Sequence, residues 1–108
     1  MIMYKIIVYV PSESKETVKS ALFDAGAGRI GDYACCCWEV LGQGQFLPLP
    51  NSQPYLGQEG ELERVPEFRL ELVCEAALIK TAVLKMIEAH PYEEPAYQVL
   101  PFLTLADL

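Results

Sequence analysis

The apolar positions of this chain follow two rhythms. Ile2 to Val10 is nearly continuous in Ile, Val and Tyr, interrupted by Lys5. Such a short β-branched and aromatic run predicts a strand buried on both faces or nearly so. Pro11-Ser12 ends it. Val18, Ala21, Leu22 and Ala25 then recur at i, i+3, i+4 and i+7, which is one face of a helix. Ser12 or Ser14 is expected to cap that helix, with Glu13 and Glu16 suited to the positive end of its dipole. Lys15 and Lys19 fall off the apolar face. Gly26 is placed to end the helix in a left-handed conformation.

Tyr33 to Leu41 reads as a second strand, Gly42-Gln43-Gly44 as a tight turn, and Phe46 to Leu49 as a short returning strand. Pro48, Pro50 and Pro54 keep that return short. Residues 51–60 are turn chemistry throughout. From Leu62 to Cys74 the pattern alternates, with Phe68, Leu70, Leu72 and Cys74 on one side and Glu67, Arg69 and Glu71 on the other. Pro66 predicts an edge, bend or bulge early in this strand. Ala76 to Ala89 is a second helix, with Ile79, Val83, Met86 and His90 on one stripe beside Ala82 and Ile87. Pro91 stops it. Ala96 to Phe102 closes the chain as a short strand, and Pro101 places it at an edge. The order predicts one α+β domain over residues 1–108, a ferredoxin-like βαββαβ sandwich with a hairpin insert and both helices on one sheet face. The other face then needs cover, and a second subunit is the expected source.

Charge narrows the function classes. The formal net charge is −7, and the eight basic residues are scattered singly. Nucleic acids and anionic membrane surfaces, which require clustered Lys and Arg, are not expected partners. No apolar run approaches the ~20 residues of a membrane span. Met1 to Lys5 lacks the basic-then-apolar pattern of a signal peptide, so a cytoplasmic location is expected. Cys35, Cys36 and Cys37 are adjacent and Cys74 is distant, which is no disulfide framework. They read first as small buried hydrophobes and second as thiolate metal ligands, without a CxxC pair to support the latter.

Two segments carry candidate chemistry. Gly26-x-Gly28-x-x-Gly31 fits the GxGxxG pattern but follows a helix and opens a strand, the reverse of a dinucleotide fingerprint. It reads as a helix-to-strand connection that needs positive φ, with an anion nest beside Arg29 as the alternative. His90-Pro91-Tyr92-Glu93-Glu94-Pro95-Ala96-Tyr97 gathers the sole histidine, two carboxylates and two tyrosines. These groups suit metal ligation or acid–base chemistry. The plainer reading is a packed His90 with its nitrogens bonded to backbone and a proline-stiffened turn. A symmetric trimer would bring three copies of a single histidine together. The six glutamates between Glu59 and Glu75 read as a solvated face first and as an acidic lining for a cation second.

These two segments are joined by Tyr33, Cys36, Gly42-x-Gly44-x-Phe46-x-Pro48, Pro54-Tyr55-x-Gly57, Gly60 and Leu62-Glu63-x-Val65-x-Glu67-x-Arg69-x-Glu71. Together they resemble the insert domain of YqfO-type proteins in the NIF-three (NGG-one-interacting-factor-like) family. The resemblance covers nearly the whole chain. It implies a fold of the CutA and PII group, assembly as a homotrimer and a sensor role. The chain is similar to a stand-alone version of that insert. On that likeness the chain is expected to lack the core halves that hold the family's dinuclear metal centre, and the family's metal-dependent activity is not expected to carry over. The resulting expectation is an oligomeric binding or regulatory module for a small-molecule ligand or a protein partner, with no catalysis and no resident cofactor. The expected surface comprises Gly26, Gly28, Arg29, Gly31, Tyr33, His90, Tyr92, Glu93, Glu94 and Tyr97. Two alternatives stand beside it. One is a divalent-metal binder using His90, Glu93 and Glu94 or thiolates around Cys36. The other is a small enzyme with His90 as general base.

Overall fold

The computed structural model describes residues 2–108; Met1, the first residue of the stretch read for a leader, lies outside them. The elements are β1 (Met3–Pro11), α1 (Lys15–Asp24), β2 (Trp38–Phe46), β3 (Glu63–Glu75), α2 (Ile79–Ala89) and β4 (Tyr97–Phe102), with one-turn 3₁₀ helices at Ser12–Ser14 and Leu105–Asp107. The strands form one antiparallel sheet in the order β2-β3-β1-β4. This is the expected α+β, ferredoxin-like βαββαβ sandwich.

Alternation decides which strand residues meet the helices. Ile6, Val8 and Val10 of β1 and Leu70, Leu72 and Cys74 of β3 form the core with Val18 and Leu22 of α1 and Ala82 and Met86 of α2. The register sets Ile6 beside Leu72 and Val8 beside Leu70, so both central strands turn the same face inward. Pro101 lies on edge strand β4, as its missing N–H requires. Pro66 lies just beyond the last β1–β3 pair, Pro11 with Glu67, where β3 is paired only with β2. There an absent donor breaks no ladder bond to β1. This overhang of the β2–β3 hairpin fits the elongated shape, 49 × 22 × 22 Å.

Four local expectations are corrected. Gly42-Gln43-Gly44 is not a turn; all three residues pair with β3 inside a continuous β2. The strand expected from Tyr33 starts only at Trp38. Before it, an Ile30–Tyr33 bridge and a left-handed Cys35 (φ 57°) fold the chain into a compact loop. Of the expected return strand, only Phe46 is in the ladder, as the last residue of β2. Neither Ser12 nor Ser14 caps α1 through its side chain. The chain enters α1 through the 3₁₀ turn instead.

Gly26 does end α1. Its φ is 96°; its N–H bonds to the Phe23 carbonyl and that of Ala27 to the Leu22 carbonyl. This pair of bonds is a Schellman closure, and it requires a residue without a Cβ penalty at positive φ. Lys15 and Lys19, off the apolar face of α1, both reach the Glu39 carboxylate of β2 at 2.7 Å. They tie the helix to the edge strand.

Candidate functional site

Four amides of the glycine segment, those of Gly26, Ala27, Gly28 and Ile30, are engaged within the fold. Gly28 donates its N–H to the Val73 carbonyl at 2.7 Å and accepts from Cys36 N–H at 2.8 Å. The amides of Gly26, Ala27 and Ile30 are likewise bonded to backbone carbonyls. These donors are therefore turned into the fold and not toward an anion. A Cβ on Gly28 would stand 2.9 Å from the Cys36 oxygen and from the Phe23 ring, so the glycine also permits a close approach. Arg29, Gly31 and Tyr33 are exposed beside it.

The second segment lies elsewhere. His90 closes α2 and is buried. Its Nε2 lies 2.7 Å from the Tyr9 carbonyl oxygen, and its Nδ1 accepts the Tyr92 amide N–H at 3.1 Å. A carbonyl only accepts, so the partners assign the neutral tautomer with the proton on Nε2. Burial holds the imidazole pKa below its ordinary value, offset in part by the Tyr9 carbonyl. Both ring nitrogens are thus engaged by backbone, on opposite sides of the ring. Tyr9 pairs with Arg69 while the glycine segment bonds to Val73, four residues along β3. At about 3.4 Å per residue the two segments are anchored on the order of 14 Å apart.

His90 aims the turn that follows it. By fixing the Tyr92 amide it directs the Tyr92 ring, which sits against His90, Phe46 and Tyr55 with centroids 5.1, 5.8 and 6.3 Å away. The Tyr92 hydroxyl donates to Glu67 Oε2 at 2.7 Å. Burial and the adjacent Glu67 carboxylate push the phenol pKa well above its usual value, so it stays protonated. The Glu67 carboxylate occupies the space where a Gly44 side chain would be. Glu93 Oε1 accepts the Gln53 amide N–H at 3.0 Å, which ties the turn to the long β2–β3 connection.

These contacts enclose a cleft of about 330 Å³ under the hairpin overhang. Its walls include Phe46, Leu49, Pro54 and Tyr55 from the β2–β3 side and Tyr92 from the turn, with Glu67, Glu93 and Glu94 as its charged groups. A second cleft of about 320 Å³ includes Lys5, Ile30, Cys36, Trp38 and Glu71. Of the sequence-derived candidates, Tyr92, Glu93 and Glu94 come together in the first cleft. His90 lies behind Tyr92, and Tyr97 packs against the core. Gly26, Gly28, Arg29, Gly31, Tyr33 and Cys36 do not line it. Among the described residues no three His, Cys, Asp or Glu side chains converge as metal ligands, so His90, Glu93, Glu94 and Cys36 are not assembled within one chain. All four cysteines are free thiols. Sequence reasoning missed Phe46, Tyr55 and Gly44 as parts of this site. Glu67 is one of the six glutamates read first as a solvated face and second as a cation lining, and only the folded side-chain contacts place its carboxylate over Gly44.

No family model matches the chain. It is 47% identical over 95 residues to the "GTP cyclohydrolase 1 type 2 homolog" of Mycobacterium tuberculosis, a match that spans 88% of this chain and 25% of that protein. The Bacillus subtilis protein of the same name is 47% identical over 97 residues, 90% of this chain and 26% of its own length. A solved structure, a Bacillus cereus protein related to NIF3, superposes with a TM-score of 0.82 at 42% identity over 95% of this chain and 26% of that one. This chain is a homologue of the NIF3-related proteins. It spans about a quarter of the length of these NIF3-related relatives. The divalent cation tolerance protein CutA of Archaeoglobus fulgidus shares the fold over 94% of this chain and 85% of its own, with a TM-score of 0.67 at 17% identity. That likeness concerns the fold alone. The chain is therefore CutA-like in architecture, as the resemblance implies. No helix among the described residues is long and apolar enough to cross a membrane.

Proposed function

We propose that this NIF3-related chain is an oligomeric, non-catalytic binding module whose ligand occupies the cleft between the β2–β3 overhang and the Tyr92–Ala96 turn. The observation that carries this reading is the cleft itself. At about 330 Å³ it falls in the size range of small-molecule sites, with mostly apolar walls and a few fixed polar groups. Catalysis is not part of the proposal. His90, the only histidine, has both nitrogens bonded to backbone, and the Tyr92 proton is held by Glu67. The relatives' name belongs to proteins of which this chain matches only 25%, and it carries no activity to this chain.

Assembly as a homotrimer belongs to the same proposal. Its support is the sheet face opposite the helices, where Trp38, Val40 and Leu100 are exposed. A cytoplasmic setting is also part of it, in keeping with four free thiols. Light scattering at micromolar concentration tests the assembly, and a strict monomer rejects the trimer. Amide chemical-shift mapping during titration with small apolar probes tests the cleft. Shifts confined to residues 45–56 and 92–96 support the site; shifts elsewhere, or none, reject it.

A further inference from the structure

Resting on that reading of the cleft, we propose that its ligand is an organic cation, an alkylammonium ion with its charge at the carboxylates and its apolar body against the aromatic walls. The charge inventory carries this. Glu67, Glu93 and Glu94 line the cleft, and no basic residue does. Elsewhere in the fold, two partly buried strand carboxylates have their own cations. Glu39 holds Lys15 and Lys19, and Glu71 holds Lys5 and Arg69. Among the described residues no ion pair reaches the three cleft glutamates. The Tyr92 hydroxyl on Glu67 and the Gln53 amide on Glu93 are neutral donors, which orient those carboxylates without cancelling their charge.

The walls select the kind of cation. The Tyr92 ring centroid lies 5.8 Å from that of Phe46 and 6.3 Å from that of Tyr55, so three aromatic rings line the cleft. Aromatic faces attract ammonium groups through their quadrupole and accept the attached alkyl chain by burial. A metal ion is poorly served, because the carboxylates do not converge into a three-ligand group. A phosphate- or carboxylate-bearing ligand meets three like charges and is repelled.

Three probes of equal length decide the matter on the intact chain: hexylammonium, 1-hexanol and hexanoate, each titrated while the amides of Gln53, Tyr55 and Glu94 are followed. The expected result is that hexylammonium binds at least about tenfold tighter than 1-hexanol, that hexanoate binds weakest, and that added salt narrows the gap. Glu94→Gln, an exposed change, and Glu67→Gln, which keeps a partner for the Tyr92 hydroxyl, should each reduce the preference for the amine. If 1-hexanol matches hexylammonium, the cation inference fails while the cleft stands as a binding site. If none of the three probes moves the cleft amides, the binding-module reading itself fails.

Discussion

Tyr92 and Glu67, 25 residues apart in the chain, are joined by a 2.7 Å hydrogen bond from phenol to carboxylate. The bond ties the turn after α2 to the β3 strand at the point where β3 leaves β1. It depends on a glycine two residues along β2 from Glu67's own partner, Gly42.

Gly44→Ala is therefore expected to destabilise the fold while Gly42→Ala does little. A Cβ on Gly44 overlaps the Glu67 side chain, whereas one on Gly42 meets only the Glu67 carbonyl at 4.0 Å, an ordinary contact. Expelling Glu67 from its place forfeits a charge-assisted bond, about 1.5–3 kcal/mol. Urea denaturation of the two variants compares them directly. Equal stabilities would mean that Glu67 relocates freely.

Tyr92→Phe should cost about 1–3 kcal/mol, because the half-buried Glu67 loses its donor while ring packing is kept. In the double variant Tyr92→Phe, Glu67→Leu, much of that loss should return, since no polar group is then left unpaired. A double-mutant cycle by thermal or chemical denaturation reads the coupling.

His90 makes stability fall on mild acidification. Its folded-state pKa is lowered, by burial first, so the unfolded chain binds a proton at a pH where the folded chain does not. The stabilising contribution is complete above the unfolded value of about 6.5 and is lost as the pH falls through the lower folded value. Unfolding free energies measured from about pH 7 to pH 5 should decline, and His90→Gln should flatten that slope while lowering stability overall. An unchanged slope in His90→Gln would assign the decline to other groups.

Gly28→Ala should be more damaging than Gly31→Ala. Both glycines have positive φ, 78° and 55°, so each substitution is strained by about 1 kcal/mol or more. Only at Gly28 does the added carbon also press on backbone and ring, 2.9 Å from the Cys36 oxygen and from Phe23. Melting temperatures of the two variants measure the difference.

The elements most readable from sequence are those whose periodicity matches a buried face. The Val18–Leu22 face of α1, the Leu70-Leu72-Cys74 alternation of β3 and the end of α2 before Pro91 all lie as expected. The middle of the chain was less legible. Gly42 and Gly44 look like a turn because glycines commonly break ladders, yet here one makes room for a carboxylate. The cysteine run looks like strand by composition, but the Ile30–Tyr33 bridge and Cys35 fold it into a loop.

The sequence by itself determined the βαββαβ order, the two apolar helix faces, the Gly26 helix end and the HPYEEPAY turn, because each depends on neighbours within a few positions. Only the tertiary structure decided that His90 is a backbone-bonded prop for Tyr92, that Glu67 belongs to the cleft, and that the amides of Gly26, Ala27, Gly28 and Ile30 go to the carbonyls of Phe23, Leu22, Val73 and Tyr33. Those assignments turn on which distant partner reaches a given polar atom. Local periodicity says which face a residue takes, but the partner is set by strand register and by the path of the chain across the sheet.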